Sequence, residues 1–195
     1  MNFELTTRLN NYLIENKLDD AIQLAENQLK DIPKTDFHKI LNRNLKHLAE
    51  PLTNFLTEFY QLAEKEIEVK AIYSEMNGFT INTDLWFIDL FAFTELGTLD
   101  DLDWLSDFEI SAEESMVISG FEDLQSVYEN IEGNEVMTNR DLNNAYEVCE
   151  LIIILRLQEL FQESLKIAIK NDLTWKNIPL FVTAHDSELI YEVKP

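Results

Sequence analysis

The amino-acid sequence predicts an α+β fold, in which an N-terminal helical layer and a later long helix pack on an antiparallel sheet. Three observations lead to this prediction. Apolar residues recur at helical spacing through residues 3–66. Short runs rich in β-branched and aromatic residues follow from Val69 onward. A second helical pattern then separates these runs from a closing pair of strands at the C-terminal end of the chain.

Four helices are predicted in the N-terminal layer. The first begins at Phe3, and the second follows Asp19 and ends before Pro33. A third is expected to begin near Asp36. The fourth carries Pro51 in its first turn, where proline needs no backbone N–H partner.

The middle of the chain predicts strands. Residues 69–75 form the first, and the Asn77-Gly78 pair favours a tight hairpin turn with residues 79–82 returning as the second. Residues 85–93 are apolar on both faces, which is typical of a central strand covered on both sides. Asp89 is the one charge inside this run, so its carboxylate must be hydrogen-bonded, protonated or part of a site.

Two capping boxes predict the later helices. Ser119 with Glu122 opens a short helix, and Thr138 with Asp141 opens a long helix to about residue 171. Residues 151–155 are apolar all round, so the long helix is expected to be enclosed by the rest of the domain. Residues 180–184 and 189–193 then form a closing hairpin.

The length of 195 residues suits one domain, with residues 1–67 mainly helical and residues 68–195 holding the strands and two helices. The chain has 37 acidic and 15 basic residues and a formal charge of −22. Residues 71–139 contain sixteen acids and no Lys or Arg, so this stretch supplies −16 and leaves −6 for the rest. Nucleic acid and anionic membrane surfaces would be repelled by this charge, so neither is an expected partner.

Residues of catalytic or cofactor-binding type do not occur in recognisable patterns. With 4 glycines and 4 prolines, the chain lacks a glycine-rich phosphate-binding loop, and its histidines and acids lack metal-ligand spacing. No cofactor, metal or catalytic residue is predicted, and the chain is expected not to be an enzyme. Cys149 is the only cysteine and cannot form an intramolecular disulfide. We therefore expect a cytoplasmic protein without a signal peptide or a membrane span.

The acidic stretch is the candidate partner-binding surface. Residues 100–109 interleave acids with aromatic residues, and aromatic anchors ringed by charges are typical of protein interfaces. The expected partner is a basic protein, which this surface would neutralise or sequester. The predicted contact residues are Asp100, Asp101, Asp103, Trp104, Asp107 and Glu109. Two alternatives remain open: the acids only keep the protein soluble, and Trp104 turns inward to hold a loop.

Other classes of function remain possible from the sequence. A small enzyme would have its site near Asp89 or His185, and a deep pocket with converging polar groups there would favour it. A structural or assembly subunit would show a large apolar patch and form a stable homodimer. The sequence does not determine the oligomeric state.

In general character the chain resembles the immunity proteins that bacteria make against their own toxins. The resemblance lies in a small, acidic, single-domain α+β protein with aromatic residues among its acids. The segments 86–92 (WFIDLFA), 101–107 (DLDWLSD) and 183–186 (TAHD) also resemble landmarks of an uncharacterised bacterial family. Many immunity proteins offer an acidic surface to a basic toxin domain, and the resemblance implies such a partner here.

Overall fold

The described part of the chain forms five α-helices and a six-stranded sheet, which confirms the predicted α+β class. The computed structural model describes residues 3–79, 81–99, 101–131, 136 and 138–194. Within these residues the helices are α1 (Phe3–Ile14), α2 (Leu18–Lys30), α3 (Ala49–Ala63), α4 (Glu122–Asn130) and α5 (Arg140–Lys170).

The sheet has the order β3-β2-β1-β5-β6, and β4 also pairs with β2. The strands are β1 (Ala71–Asn77), β2 (Phe87–Phe93), β3 (Ile110–Ser111), β4 (Met116–Val117), β5 (Leu180–Ala184) and β6 (Tyr191–Glu192). All pairings are antiparallel except that of β1 with β5, which is parallel. The sheet is therefore mixed and not wholly antiparallel. Long-range crossovers between distant strands permit parallel pairing, and the pattern within a strand does not reveal its partner.

Helix α5 is enclosed as its apolar middle predicts. It packs against α2, α3 and β5, and its residues 151–155 are all buried. Buried Gln158 on this helix donates hydrogen bonds to the backbone oxygens of Val182 (3.3 Å) and Leu189 (2.8 Å). The side chain of Asn139 caps the helix by accepting a hydrogen bond from the backbone N–H of Leu142 (3.2 Å). The helix thus begins one residue beyond the predicted Thr138 cap.

Two predicted elements are absent from the described residues. Residues 79 and 81–82 form no strand, because the chain returns only at Phe87 to pair with β1. The predicted third helix is reduced to two short 3₁₀ turns, Asp36–Ile40 and Lys46–Leu48. Asn42 lies between them with a φ of 62°, a left-handed conformation that ends any regular helix.

The two faces of the sheet differ. Toward the helices, Ile72, Met76, Ile88, Leu90 and Val182 join the main core. The outer face carries a smaller buried cluster, which consists of Ala71, Tyr73, Phe93 and Phe181. Half-buried side chains of residues 91, 104, 105 and 190 cover this cluster. Residues 85–93 therefore contact protein on both faces, as their composition predicts.

Candidate functional site

A row of polar side chains crosses the outer face of the sheet. Glu75 on β1 lies directly opposite Asp89 on β2, so two carboxylates face each other across the ladder. Asp89 accepts hydrogen bonds from Asn77 Nδ2 (2.7 Å) and Ser115 Oγ (2.5 Å). Neutral side-chain donors thus satisfy the one charge of the central strand, which is the first of the three alternatives that the sequence left open.

Glu75 is held by two further groups. It accepts a hydrogen bond from the Tyr73 hydroxyl (2.8 Å), and its Oε1 lies 2.6 Å from His185 Nδ1. The hydrogen bond to Glu75 raises the pKa of the exposed His185 imidazole. Burial, together with the neighbouring Glu75 charge, raises the pKa of the Tyr73 hydroxyl well above its usual value. This row orders the residues at the end of β5, beside a cavity described below.

The acidic segment is defined as residues 94–114; its residues Trp104 and Leu105 cover the outer face of the sheet, and it returns to the edge of the sheet as β3. Trp104 fixes it in place, because its ring meets Phe93 and Phe181 edge-on at centroid distances of 4.9 Å and 5.3 Å. Its Nε1 also donates a hydrogen bond to the Thr98 backbone oxygen (3.1 Å). At Gly97 an added Cβ would lie 2.2 Å from the indole, so the backbone needs glycine there. Trp104 is half-buried and turns inward, which is the second of the two alternatives that the sequence left open.

The predicted acidic contact residues are exposed where the structure describes them. Asp101, Asp103, Asp107 and Glu109 all face solvent, while Asp100 lies outside the described residues. Asp101 accepts a hydrogen bond from the Asp103 backbone N–H (3.1 Å), and Glu109 accepts one from the Thr94 backbone N–H (3.0 Å). These bonds shape the segment and leave the carboxylates of its described residues without a neutralising cation.

Ion pairing separates this region from the rest of the surface. Among the described residues of 71–139, the ion pairs are those of Asp123 with Arg43 and of Glu75 with His185. By contrast, ten of the fifteen Lys and Arg residues pair with carboxylates, and all ten lie outside residues 71–139. The negative potential of the acidic segment is therefore not offset locally.

Exposed apolar side chains lie between these acids; the sequence pointed to the aromatic one, Phe108, but not to the three leucines. These exposed side chains are Leu96, Leu99, Leu102 and Phe108, with 53%, 40%, 36% and 42% of their surface exposed. The three leucines recur at every third residue, and this spacing could have revealed them. Solubility alone does not require exposed leucines among carboxylates, so they favour a contact surface.

A groove of about 180 Å³ adjoins the acidic segment. Leu99 and Leu102 form one wall, and Leu13 and Ile14 at the end of α1 form another. Glu188 and Glu192 contribute acidic groups at the β5–β6 side. The groove is lined mainly by apolar side chains, with Glu188 and Glu192 at its rim, and Lys194, the one basic lining residue, pairs with Glu192 (3.4 Å).

A separate cavity of about 180 Å³ lies at the carboxyl ends of the two parallel strands. Met76 and Ala184, the last paired residues of β1 and β5, line its base. Helix α5 supplies Glu147, Glu150, Leu151 and Ile154, whose spacing of three, four and seven residues places them on one helix face. The remaining lining residues are Gly78, Phe79, Ile81, His185, Asp186 and Ser187.

Two lining residues adopt backbone conformations that non-glycine residues rarely occupy. Phe79 has a φ of 56° and Asp186 a φ of 58°. For a bulky residue such as phenylalanine, the left-handed region costs about 1–2 kcal/mol. Strain of this kind concentrates at ligand-binding and active sites.

Among the residues that line this cavity, Glu150 has the pKa that is shifted furthest from its usual value. Burial raises its pKa to about 7, and the nearby Glu147 charge adds to the rise. A hydrogen bond with the Tyr146 hydroxyl opposes the change. Glu150 is thus a partly buried carboxylate in a cavity whose described lining contains no Lys or Arg, and its one histidine, His185, is engaged with Glu75.

Replacing Glu150 with glutamine is expected to stabilise the protein at pH 8 and to have little effect near pH 4. The folded state holds the Glu150 proton up to about pH 7, whereas the unfolded chain loses it near pH 4.5. The contribution of Glu150 to the free energy of unfolding therefore falls as the pH rises from about 4.5 to about 7. Glutamine does not ionise, so it removes the cost of burying the charged carboxylate. The expected gain at pH 8 is on the order of 2 kcal/mol, measurable as a Tm higher by several degrees.

Glu129→Gln is the matched control for this experiment, because that carboxylate is exposed on α4 and outside the cavity. Its Tm should follow that of the wild type at both pH values. A Glu150→Gln protein whose Tm difference from the wild type is the same at pH 4 and pH 8 would contradict the burial argument.

Metal and thiol chemistry gain no support from the described part of the chain. There, no group of three or more His, Cys, Asp and Glu side chains is placed to hold one metal ion. Cys149 is buried in α5, and burial raises the pKa of its thiol to about 12, so it contributes to packing. No helix among the described residues is long and apolar enough to cross a membrane.

Comparison of the chain with protein-family models, with curated proteins and with solved structures finds no match. Its function is therefore argued from the geometry of its own residues.

Proposed function

We propose that this chain binds a basic protein and neutralises or sequesters it through the acidic segment and the adjoining groove. The observation that carries the proposal is the row of exposed leucines, at positions 96, 99 and 102, among carboxylates that have no cationic partner in the described structure. Charge complementarity of this kind speeds association and selects partners, while apolar contacts slow dissociation.

The groove defines the kind of segment that the partner presents. Its apolar walls suit an aliphatic or aromatic side chain, and the acids at its rim suit Lys or Arg on either side. A basic amphipathic segment, with an apolar residue between basic ones, has both features. Bacterial toxin domains that are neutralised by immunity proteins are partners of this class, and the proposal includes such a role in the bacterial cytoplasm.

Trp104 has a supporting part in this proposal and is not the anchor that enters the partner. Its ring packs inward on Phe93 and Phe181, so the contact energy is assigned to Leu99 and Leu102. Asp101, Asp103, Asp107 and Glu109 steer the partner, and Asp100 is included with them on sequence grounds alone.

The proposal is tested by capturing partners from lysate of the source cell at low salt and then measuring the association kinetics of the captured basic protein. The association rate should fall as ionic strength rises from about 0.01 to 0.15 M, where the Debye length shortens from about 30 to 8 Å. The triple variant Asp101→Asn/Asp103→Asn/Asp107→Asn should associate more slowly and with a flatter salt dependence. Leu99→Ser/Leu102→Ser should mainly speed dissociation, at a cost of about 2 kcal/mol or more in affinity.

A control variant with the same change in charge is Asp20→Asn/Glu58→Gln/Glu66→Gln, whose acids are exposed on the helical side of the chain. Its association kinetics should stay near those of the wild type. Association that is insensitive to salt and to the triple Asn change would remove the electrostatic part of the proposal. A dissociation rate of the double Ser variant equal to that of the wild type would exclude the groove from the binding surface.

A further inference from the structure

The cavity at the carboxyl ends of β1 and β5 has the size of a small-ligand site. Its volume of about 180 Å³ is close to that of an engineered cavity of about 150 Å³ that binds benzene. In sheets with parallel strands, ligands bind at the carboxyl ends of those strands. The cavity shares no lining residue with the acidic segment or the groove, so it is a second and separate feature of the chain.

The walls of this cavity divide into an apolar part and an acidic part. Met76, Phe79, Ile81, Leu151 and Ile154 supply apolar surface from two separate parts of the chain. This surface would enclose a ring or a short alkyl chain. An entirely charged or strongly hydrated ligand would gain nothing from these side chains, so the ligand must have an apolar body.

The acidic part selects the charge of the ligand. Glu150 is fixed by the Tyr146 hydroxyl on α5, and Asp186 stands on the β5 side of the same cavity. His185 also lines this cavity, and it is engaged through Nδ1 with Glu75 and lies 3.6 Å from Asp186 through Nε2. An anionic ligand would be repelled here, and a neutral ligand would bring no positive charge to the partly buried Glu150 carboxylate.

We infer that this cavity binds a small organic cation with an apolar body, a primary ammonium ion on an aryl or alkyl group, whose nitrogen pairs with Glu150. The apolar body rests against Phe79, Leu151 and Ile154. This site is independent of the acidic segment, so the chain would carry a small-molecule site in addition to its protein-binding surface.

The test uses three probes of nearly equal size, benzylammonium, benzyl alcohol and benzoate, titrated into the full chain at pH 8 by calorimetry. At this pH the Glu150 carboxyl is mostly ionised. Benzylammonium should bind at least tenfold more tightly than benzyl alcohol, and benzoate should bind most weakly. Equal affinities for the ammonium ion and the alcohol, or no detectable heat with benzylammonium at 10 mM, would overturn the inference.

Two variants separate the contributions of charge and of apolar contact. Glu150→Gln should abolish the preference for the ammonium ion and leave the affinity for the alcohol nearly unchanged, whereas the control Glu129→Gln should retain the wild-type preference. Ile81→Ser should weaken both probes by a similar factor, because Ile81 lines the cavity yet is 47% exposed and adds little to folding. A preference for ammonium that survives in Glu150→Gln would overturn the assignment of that residue.

Discussion

Replacing Trp104 with alanine is expected to lower the free energy of unfolding by about 3 kcal/mol. The indole is the main attachment of the acidic segment to the outer face of the sheet, through Phe93, Phe181 and the Thr98 backbone oxygen. Its removal would leave a space that the segment cannot close without moving. Denaturant unfolding measures the loss, and hydrogen exchange should show faster exchange confined to residues 94–109 and to their contacts on the sheet.

Trp104→Phe keeps an aromatic ring but loses the hydrogen bond to Thr98, so its loss of stability should be smaller. Phe108→Ala is the second comparison, because the Phe108 ring packs against Phe91 at a centroid distance of 4.7 Å, tilted by 48°, while remaining 42% exposed. It should cost about 1 kcal/mol. A Trp104→Ala protein as stable as the wild type would show that the acidic segment is held by other contacts.

Replacing Arg156 with methionine is expected to cost about 3–5 kcal/mol. Its guanidinium on α5 pairs with Glu26 on α2 (2.7 Å) and with Glu159 one turn along α5 (2.9 Å). The side chains of all three residues are nearly buried, so the change leaves two carboxylates with the partial compensation of Lys30, Lys46 and the Asn42 backbone N–H.

Lys166→Met is the surface control, because Lys166 pairs with Glu163 (2.9 Å) in an exposed position and should contribute at most about 1 kcal/mol. The triple variant Glu26→Gln/Arg156→Met/Glu159→Gln should recover much of the loss by removing the unpaired charges as well. An Arg156→Met protein whose free energy of unfolding lies within 1 kcal/mol of the wild-type value would show that the two glutamates find other partners.

The sequence predicted most helices because their apolar faces follow the helical repeat. Helices α1, α2, α3 and α5 all lie where that repeat places them. Between Asp36 and Leu48 the same spacing was misleading. Phe37, Ile40 and Leu45 are fully buried there, yet they reach the core from short turns on either side of Asn42. The spacing of apolar residues in this stretch therefore indicates which side chains are buried, but it does not indicate a helix.

The cavity was beyond reach of the sequence, because it is assembled from residues 76–81, 147–154 and 184–187. The parallel pairing of β1 with β5 brings residues 76–81 beside residues 184–187. The sequence pattern of a strand does not show which other strand it pairs with. One signal was available in α5, where two glutamates interrupt an otherwise apolar stripe at spacing three. The acidic segment, by contrast, could be predicted, because its acidic residues lie close together in the sequence.

The outer strands of the sheet restrict how any partner can be recognised. Strands β3, β4 and β6 each contain two residues, so the edges of the sheet offer few free backbone groups in a row. A partner therefore has almost no template on which to add a strand, and the protein is guarded against edge-to-edge aggregation. Recognition by side chains then sets specificity, and substitutions at surface positions can redirect the protein toward a new partner without changing the sheet.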